Sequence, residues 1–279
     1  MKILCKRICQ GYLLIWVSIT LLWKVTGILS PMNPSTENIL LSPSYTHIFG
    51  TDALGRDLAG RILEGGFVYL VVSLFASSLS LLVAVLVGVV WTWFKPKDFL
   101  VLLLMDLLQA IPSYITSTLI FLLIQSTSSS PSGTIVALIF ALALTHWMTP
   151  ARILRGRTLQ LQSSTFIEAS RGMGATHWHL LGTHLSSHIK DHFLILWALQ
   201  LPNLLMYESF MSFIGFGVES PYTSWGLLLQ DGWRFLGDYP HLLLGPGLVL
   251  FTVLLSTNYL FDQSRKQDDL NAISLNPKA

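Results

Sequence analysis

Five of the eight histidines in this sequence fall between His177 and His192, and His184, His188 and His192 recur at i, i+4 and i+8 on one helical face. Imidazoles so spaced are metal-ligand chemistry. No carboxylate completes the set on that face, however, and a polar helix face near a membrane tolerates histidine, so no metal site is expected. Phosphate chemistry lacks its loop: no Gly-x-x-x-x-Gly-Lys-Ser/Thr pattern occurs, and no Gly-Lys pair exists to build one. No nucleophile stands beside a base on an exposed turn, so the chain reads as something other than an enzyme. Two acids, Asp106 and Glu208, fall in otherwise apolar stretches. A charge there faces a bundle interior or a watery path, which makes both candidates for the wall of a translocation path; the alternative is a structural hydrogen-bonding role near a span end. Asp52, Arg56 and Asp57 crowd one short segment, GTDALGRD, and could form a plain polar turn with an internal ion pair.

The elements that must position these residues are membrane helices. The sequence is 52% hydrophobic and 11% charged, against roughly 25% charged in an average soluble domain. Its net charge of +2 is spread between apolar runs, which argues for lipid surroundings and against a nucleic-acid partner. Apolar runs long enough to cross a bilayer predict an all-α, polytopic helix bundle in one domain, 1–279, with six spans at about 12–29, 67–94, 99–124, 133–149, 193–218 and 241–261. The first run follows Lys2, Lys6 and Arg7 and so has the outline of a signal peptide. A retained span is preferred, because no small-x-small site occurs at Gly27 to Met32 and the run continues past Lys24. Residues 219–240 are too polar to cross, yet Trp225, Leu227 to Leu229, Trp233 and Phe235 make them amphipathic, so this external loop lies at the interface or dips back into the protein. Basic residues gather at Lys2 to Arg7, Lys95 and Lys97, Arg152 to Lys190, and Arg265 to Lys278. By the positive-inside rule, both termini and the loop 150–191 are cytoplasmic, where Cys5 and Cys9 stay reduced.

That loop holds the most polar stretch between spans, Ser164 to His188. Thr165 and Glu168 have the form of a capping box, Gly172 and Gly174 predict a turn at 172–175, and Thr176 is placed to cap a second helix. Glu168 could also pair with Arg171 at i, i+3.

The stretch resembles the EAA loop of ABC importer permeases, with Glu168, Ala169 and Ser170 followed by Gly174. Gly50 to Asp57, and Glu208 to Gly217 with Pro221, Ser224, Trp225 and Gly226, resemble the dipeptide, oligopeptide and nickel branch of that family, most closely the shorter permease that carries GTDxxGRD. Asp106 with Ala110 and Pro112, and Pro150 to Arg157, fit the same pattern. The resemblance implies a cytoplasmic coupling helix that docks on an ATPase through Glu168, Ala169, Ser170 and Gly174. It also implies a second permease, two ATPase subunits that hydrolyse the ATP, and an external binding protein; Asp52, Arg56 and Asp57 could meet that protein or help close an external gate. No cofactor would be bound by this chain, which would sit in the bacterial inner membrane and pass peptides inward. Two departures stand out. Ser186, Ser187 and His188 replace the family's Leu-Pro-Asn, so the second hairpin helix could continue into the fifth span, and the basic residue usual before Asp106 is missing. The alternative from another class is an ion-coupled secondary transporter, for which the chain offers no clear repeat.

Overall fold

The computed structural model describes the backbone of residues 2–26, 38–95, 97–127 and 130–275, and the side chains within them apart from 2–4, 184–192 and 263–275. Among the described residues the architecture is all-α, with one isolated bridge between Thr51 and Asp57. In chain order the helices are α1 (Lys2–Thr26), α2 (Leu58–Phe94), α3 (Phe99–Ala110), α4 (Ser113–Gln125), α5 (Pro131–His146), α6 (Met148–Gln162), α7 (Thr165–Gly172), α8 (177–213, π-helical over Leu180–Leu185), α9 (Trp225–Trp233) and α10 (His241–Leu275).

Helix α2 is the axis of the bundle and packs against α1, α5, α6, α8 and α9. It can do so because small residues recur among its buried positions: Gly65, Gly66, Ser73, Ala76, Ser77, Ser80 and Ala84. Small residues let helix backbones approach closely where lipid offers no hydrophobic drive to associate. Ser73 and Ser77 return their hydroxyls to the carbonyls of Leu70 and Leu74, so neither leaves a polar group unmet in an apolar setting. Near its end α2 relaxes into a π-helical turn, Leu86–Trp91. Gly88 in that turn lies directly against Ala151 of α6, whose carbonyl a β-carbon would strike, and Thr158 of α6 donates to the Gly88 carbonyl at 3.2 Å.

The six expected spans differ from the helices in instructive ways. The second begins at Leu58 rather than Phe67, because Asp57 caps the helix by accepting from the Gly60 amide at 3.0 Å. Arg61 and Glu64 in its first turns are buried rather than solvated in a loop. The third span is bent by 92° between α3 and α4, where Ile111 is extended ahead of Pro112, the conformation a following proline imposes. The fourth turns by 41° at Trp147 and runs on as α6. Residues 150–191, expected as a coupling loop, are therefore mostly helical. The fifth is continuous with the second hairpin helix as α8, as the absence of the family's proline at Ser187 suggested. By length and apolarity alone, among the described residues, three helices are able to cross a membrane, and up to five if each bent pair counts as one; α8 is diluted by Gln200, Pro202, Asn203 and Glu208.

The apolar core falls into three clusters along α2. One, around Leu58, Ile62, Trp225 and Leu242, lies at the start of the helix. A middle one joins Val72, Ala76, Phe121, Leu138 and Leu204. The last, around Val89, Trp93, Met105, Ala151 and Leu154, receives the 164–188 hairpin.

Candidate functional site

The hairpin is anchored from beneath and open above. Ile167 of α7 and Leu180 of α8 are both fully buried in the cluster with Trp93 and Leu154. Between them Gly174, at φ +87°, makes the turn with nothing within 4 Å of the position its β-carbon would take; only glycine holds that backbone without strain. Thr176 caps the second helix, accepting from the His179 amide at 3.3 Å. The expected capping box at the first helix is not formed. Ser164 is the cap residue, Thr165 is already helical, and the Ser164 hydroxyl is spent on the Leu161 carbonyl that ends α6, at 2.6 Å. Glu168 and Ala169 are exposed and Ser170 is half-buried, its hydroxyl donating to Phe166. Arg171 does not turn to Glu168; its guanidinium lies 5.4 Å from the centre of the Trp93 ring. Met173 and Trp178 add exposed apolar surface, 82% and 68% accessible, beside the turn. The histidine face at 184, 188 and 192 lies outside the described side chains. His177 packs its ring near Trp93 and Phe94.

On the hairpin half of the bundle a cavity of about 510 Å³ opens between α3, α4, α5, α6, α8 and α10. Gln109, Ser113, Thr145, His146, Gln200, Asn203, Tyr207 and Asn258 line it, all polar and uncharged, with Asp262 the only acid among the described lining residues. Tyr207 holds its hydroxyl 2.7 Å from that of Ser113 and takes the edge of the His146 ring at 4.1 Å. Neither acid singled out in the sequence is on this wall. Asp106 is exposed on α3 and pairs with Arg152 of α6. Glu208 is 1% exposed and enclosed by serines: Ser209 and Ser212 donate to it at 3.3 and 2.8 Å, and Ser224 at the cap of α9 also reaches it.

At the opposite end, within residues 219–240, Thr223 to Gly226, Leu228 and Gly232 are buried against the bundle while Glu219 to Pro221, Trp233 and Leu236 are exposed. Trp225 is fully buried and its indole donates to the Ile62 carbonyl at 2.8 Å, while Gly226 sits directly on the Ser209 carbonyl. Beside it the GTDALGRD turn closes on itself. Asp52 accepts from the amides of Leu54 and Arg56 and from both the Arg56 and Arg61 guanidinium groups, at 2.7 and 2.8 Å. Arg61 also reaches Asp231 at 3.3 Å. Asp57 caps α2 and bonds His47 at 3.1 Å. Of the three residues proposed from sequence, all are here. Arg61 and Asp231, which complete the network, were missed, since a single basic residue and a single acid 170 positions apart carry no local signal. The cavity residues His146, Gln200 and Tyr207 were missed too; polar side chains recurring on one apolar segment, Gln200, Asn203, Tyr207, were the available hint.

Comparison with known proteins decides the family. Residues 80–266 match the family described as "Binding-protein-dependent transport system inner membrane component". The chain belongs to this family. As a family member it is a membrane-embedded transport permease, and the ion-coupled alternative gives way to binding-protein-dependent transport. The oligopeptide transport system permease protein OppC of Bacillus subtilis is 31% identical over 91% of this chain and 82% of the relative. A putative peptide permease protein of Brucella suis is 33% identical over 87% of this chain and 80% of its own length. The dipeptide transport system permease protein DppC of Lactococcus lactis is 30% identical, over 81% of this chain and 64% of its own. Among solved structures, an inward-facing MetNI methionine ABC transporter chain matches with a TM-score of 0.55 at 18% identity, covering 74% of this chain and 95% of that one. That likeness concerns the fold.

Proposed function

We propose that this permease is one half of a heterodimeric pair through which peptides enter the cell, driven by two ATPase subunits that hydrolyse ATP in the cytoplasm. Both termini and the hairpin face the cytoplasm in this reading, and six segments cross the membrane, α8 among them with its polar residues turned inward. The observation that carries it is the hairpin itself: an edge of exposed Glu168, Ala169 and Gly174 and half-buried Ser170, with exposed Met173 and Trp178 beside it, on a base locked into the core by Ile167 and Leu180. An edge so held transmits a push into α2, α6 and α8 rather than absorbing it.

The relatives named as oligopeptide and dipeptide permeases support peptides as the cargo. The path runs along the uncharged polar cavity, completed by the second permease. Asp106, through Arg152, braces α3 on α6 at the cavity's edge, and Glu208 holds α9 to α8. The network of Asp52, Arg56 and Asp57 closes the outer end, where a binding protein delivers substrate. Uptake of a labelled peptide by proteoliposomes containing both permeases, the ATPases and the binding protein tests the reading. Glu168→Lys and Gly174→Asp are expected to abolish uptake while the complex stays membrane-inserted. Uptake that continues without any ATPase overturns it.

A further inference from the structure

The wall of the 510 Å³ cavity contains three buried hydrogen-bonding atoms that no group among the described residues meets: both amide atoms of Gln200, Nε2 and Oε1, and Nε2 of His146. Gln200 is 8% exposed. Buried side-chain polar atoms are normally partnered, and each exception calls for a role. Three of the nine such atoms among the described residues belong to two residues that line this one cavity, and they comprise one donor and two acceptors buried at its wall. The His146 assignment follows from its other nitrogen. Nδ1 lies 2.9 Å from the carbonyl of Leu142 and 2.8 Å from the Thr145 hydroxyl, and a carbonyl only accepts, so Nδ1 carries the hydrogen. In the uncharged ring Nε2 is then an acceptor. Tyr207, fixed by Ser113 and stacked on Tyr114 at 4.1 Å, holds the ring from the side.

We propose that Gln200 and His146 read the backbone amides of the cargo. Gln200 donates from Nε2 to a peptide carbonyl and accepts at Oε1 from a peptide N–H, and His146 Nε2 accepts from another N–H. This rests on the peptide-import reading of the same cavity. Residues around them are uncharged apart from Asp262, so the pair recognises what all peptides share and leaves side chains unread. For this to happen, the Gln200 amide and His146 Nε2, both buried at the wall, must be uncovered as cargo enters. The unpaired groups thus give this half of the path sequence-independent selectivity for peptide bonds.

The test compares trialanine with trialanine methylated at its central amide nitrogen, in proteoliposomes holding the complete complex and saturating binding protein. Any penalty the binding protein imposes on the methylated peptide is common to all permease variants and cancels in the comparison. In Gln200→Met, which keeps the side chain's length, and separately in His146→Phe, the ratio of unmethylated to methylated uptake is expected to fall at least threefold from the wild-type ratio. His146→Gln, which retains an acceptor, is expected to restore most of it. An unchanged ratio in both variants overturns the proposal. So does loss of assembled complex with an unchanged ratio per complex, which would mean that these groups meet the second permease instead. Failure of the wild-type complex to import either peptide would sink the function itself rather than this inference.

Discussion

The guanidinium of Arg171 lies 5.4 Å from the ring centre of Trp93, so the side chain that sequence spacing offered to Glu168 ties the hairpin to the last turn of α2. Cation–π contacts are worth about 0.5–2 kcal/mol, enough to bias how hairpin and helix move together but not enough to hold the fold. Arg171→Gln is therefore expected to leave the complex assembled and ATP hydrolysis present, while peptide imported per ATP hydrolysed falls a few-fold. The ratio of the two rates in proteoliposomes is the measurement.

The hairpin's base should be far more sensitive than its rim. Ile167 is fully buried and Phe166 beside it is 38% exposed. Truncating a buried isoleucine to alanine costs about 2–5 kcal/mol, and exposed substitutions stay within about 0.5 kcal/mol. Limited proteolysis of membranes is expected to cut within 164–188 much faster in Ile167→Ala than in Phe166→Ala.

Trp225 is the counterpart of that anchor at the other end of α2, stacked 5.6 Å from Tyr69 and bonded to Ile62. Trp225→Phe keeps most of the packing and loses about 1 kcal/mol with the hydrogen bond, while Trp225→Ala loses about 3–5 kcal/mol. Gly226→Ala, whose β-carbon strikes the Ser209 carbonyl, is expected to be destabilising, and Gly237→Ala, with open space around it, neutral. Thermal unfolding of the detergent-solubilised protein orders these variants.

Two ion pairs that look alike in a sequence separate by burial. Arg61 and Asp52 have side chains 4% and 8% exposed, against 38% and 62% for Arg152 and Asp106. Removing one partner of a buried pair costs about 3–5 kcal/mol because a charge is left stranded, and an exposed pair is worth about 0–1 kcal/mol. Asp231 keeps part of the Arg61 charge balanced, so Asp52→Ala belongs at the lower end of that range and Asp106→Ala near zero. The same thermal unfolding checks both.

What the sequence made legible follows from range. Gly174's turn, Thr176's cap, the break at Pro112 and the continuity of α8 past Ser187 are local, and the residues concerned declare them. The missing capping box shows where local reading stops: Ser164 met the end of α6 first, and that competition appears only once α6 is known to extend to Gln162. The start of α2 was misplaced because Arg61 and Glu64 look solvated until Asp52, Asp231 and Thr223 are brought to them by the fold. The cavity was hard to see for the same reason, because its polar wall is assembled from six helices and only the recurrence of Gln200, Asn203 and Tyr207 on α8 is local. The family motifs, by contrast, compress long-range information into short strings, and the exposed EAA-like edge was found through them.

The central claim is that this edge touches an ATPase. The most direct measurement replaces Ala169 with cysteine in a chain carrying Cys5→Ser and Cys9→Ser, and asks what a short bifunctional maleimide joins to it in membranes of the assembled complex. The account predicts a covalent product of permease and ATPase whose yield changes when nucleotide is added. A residue-169 thiol that reacts readily with a monofunctional maleimide in a transport-active complex, yet never joins the ATPase, would contradict it.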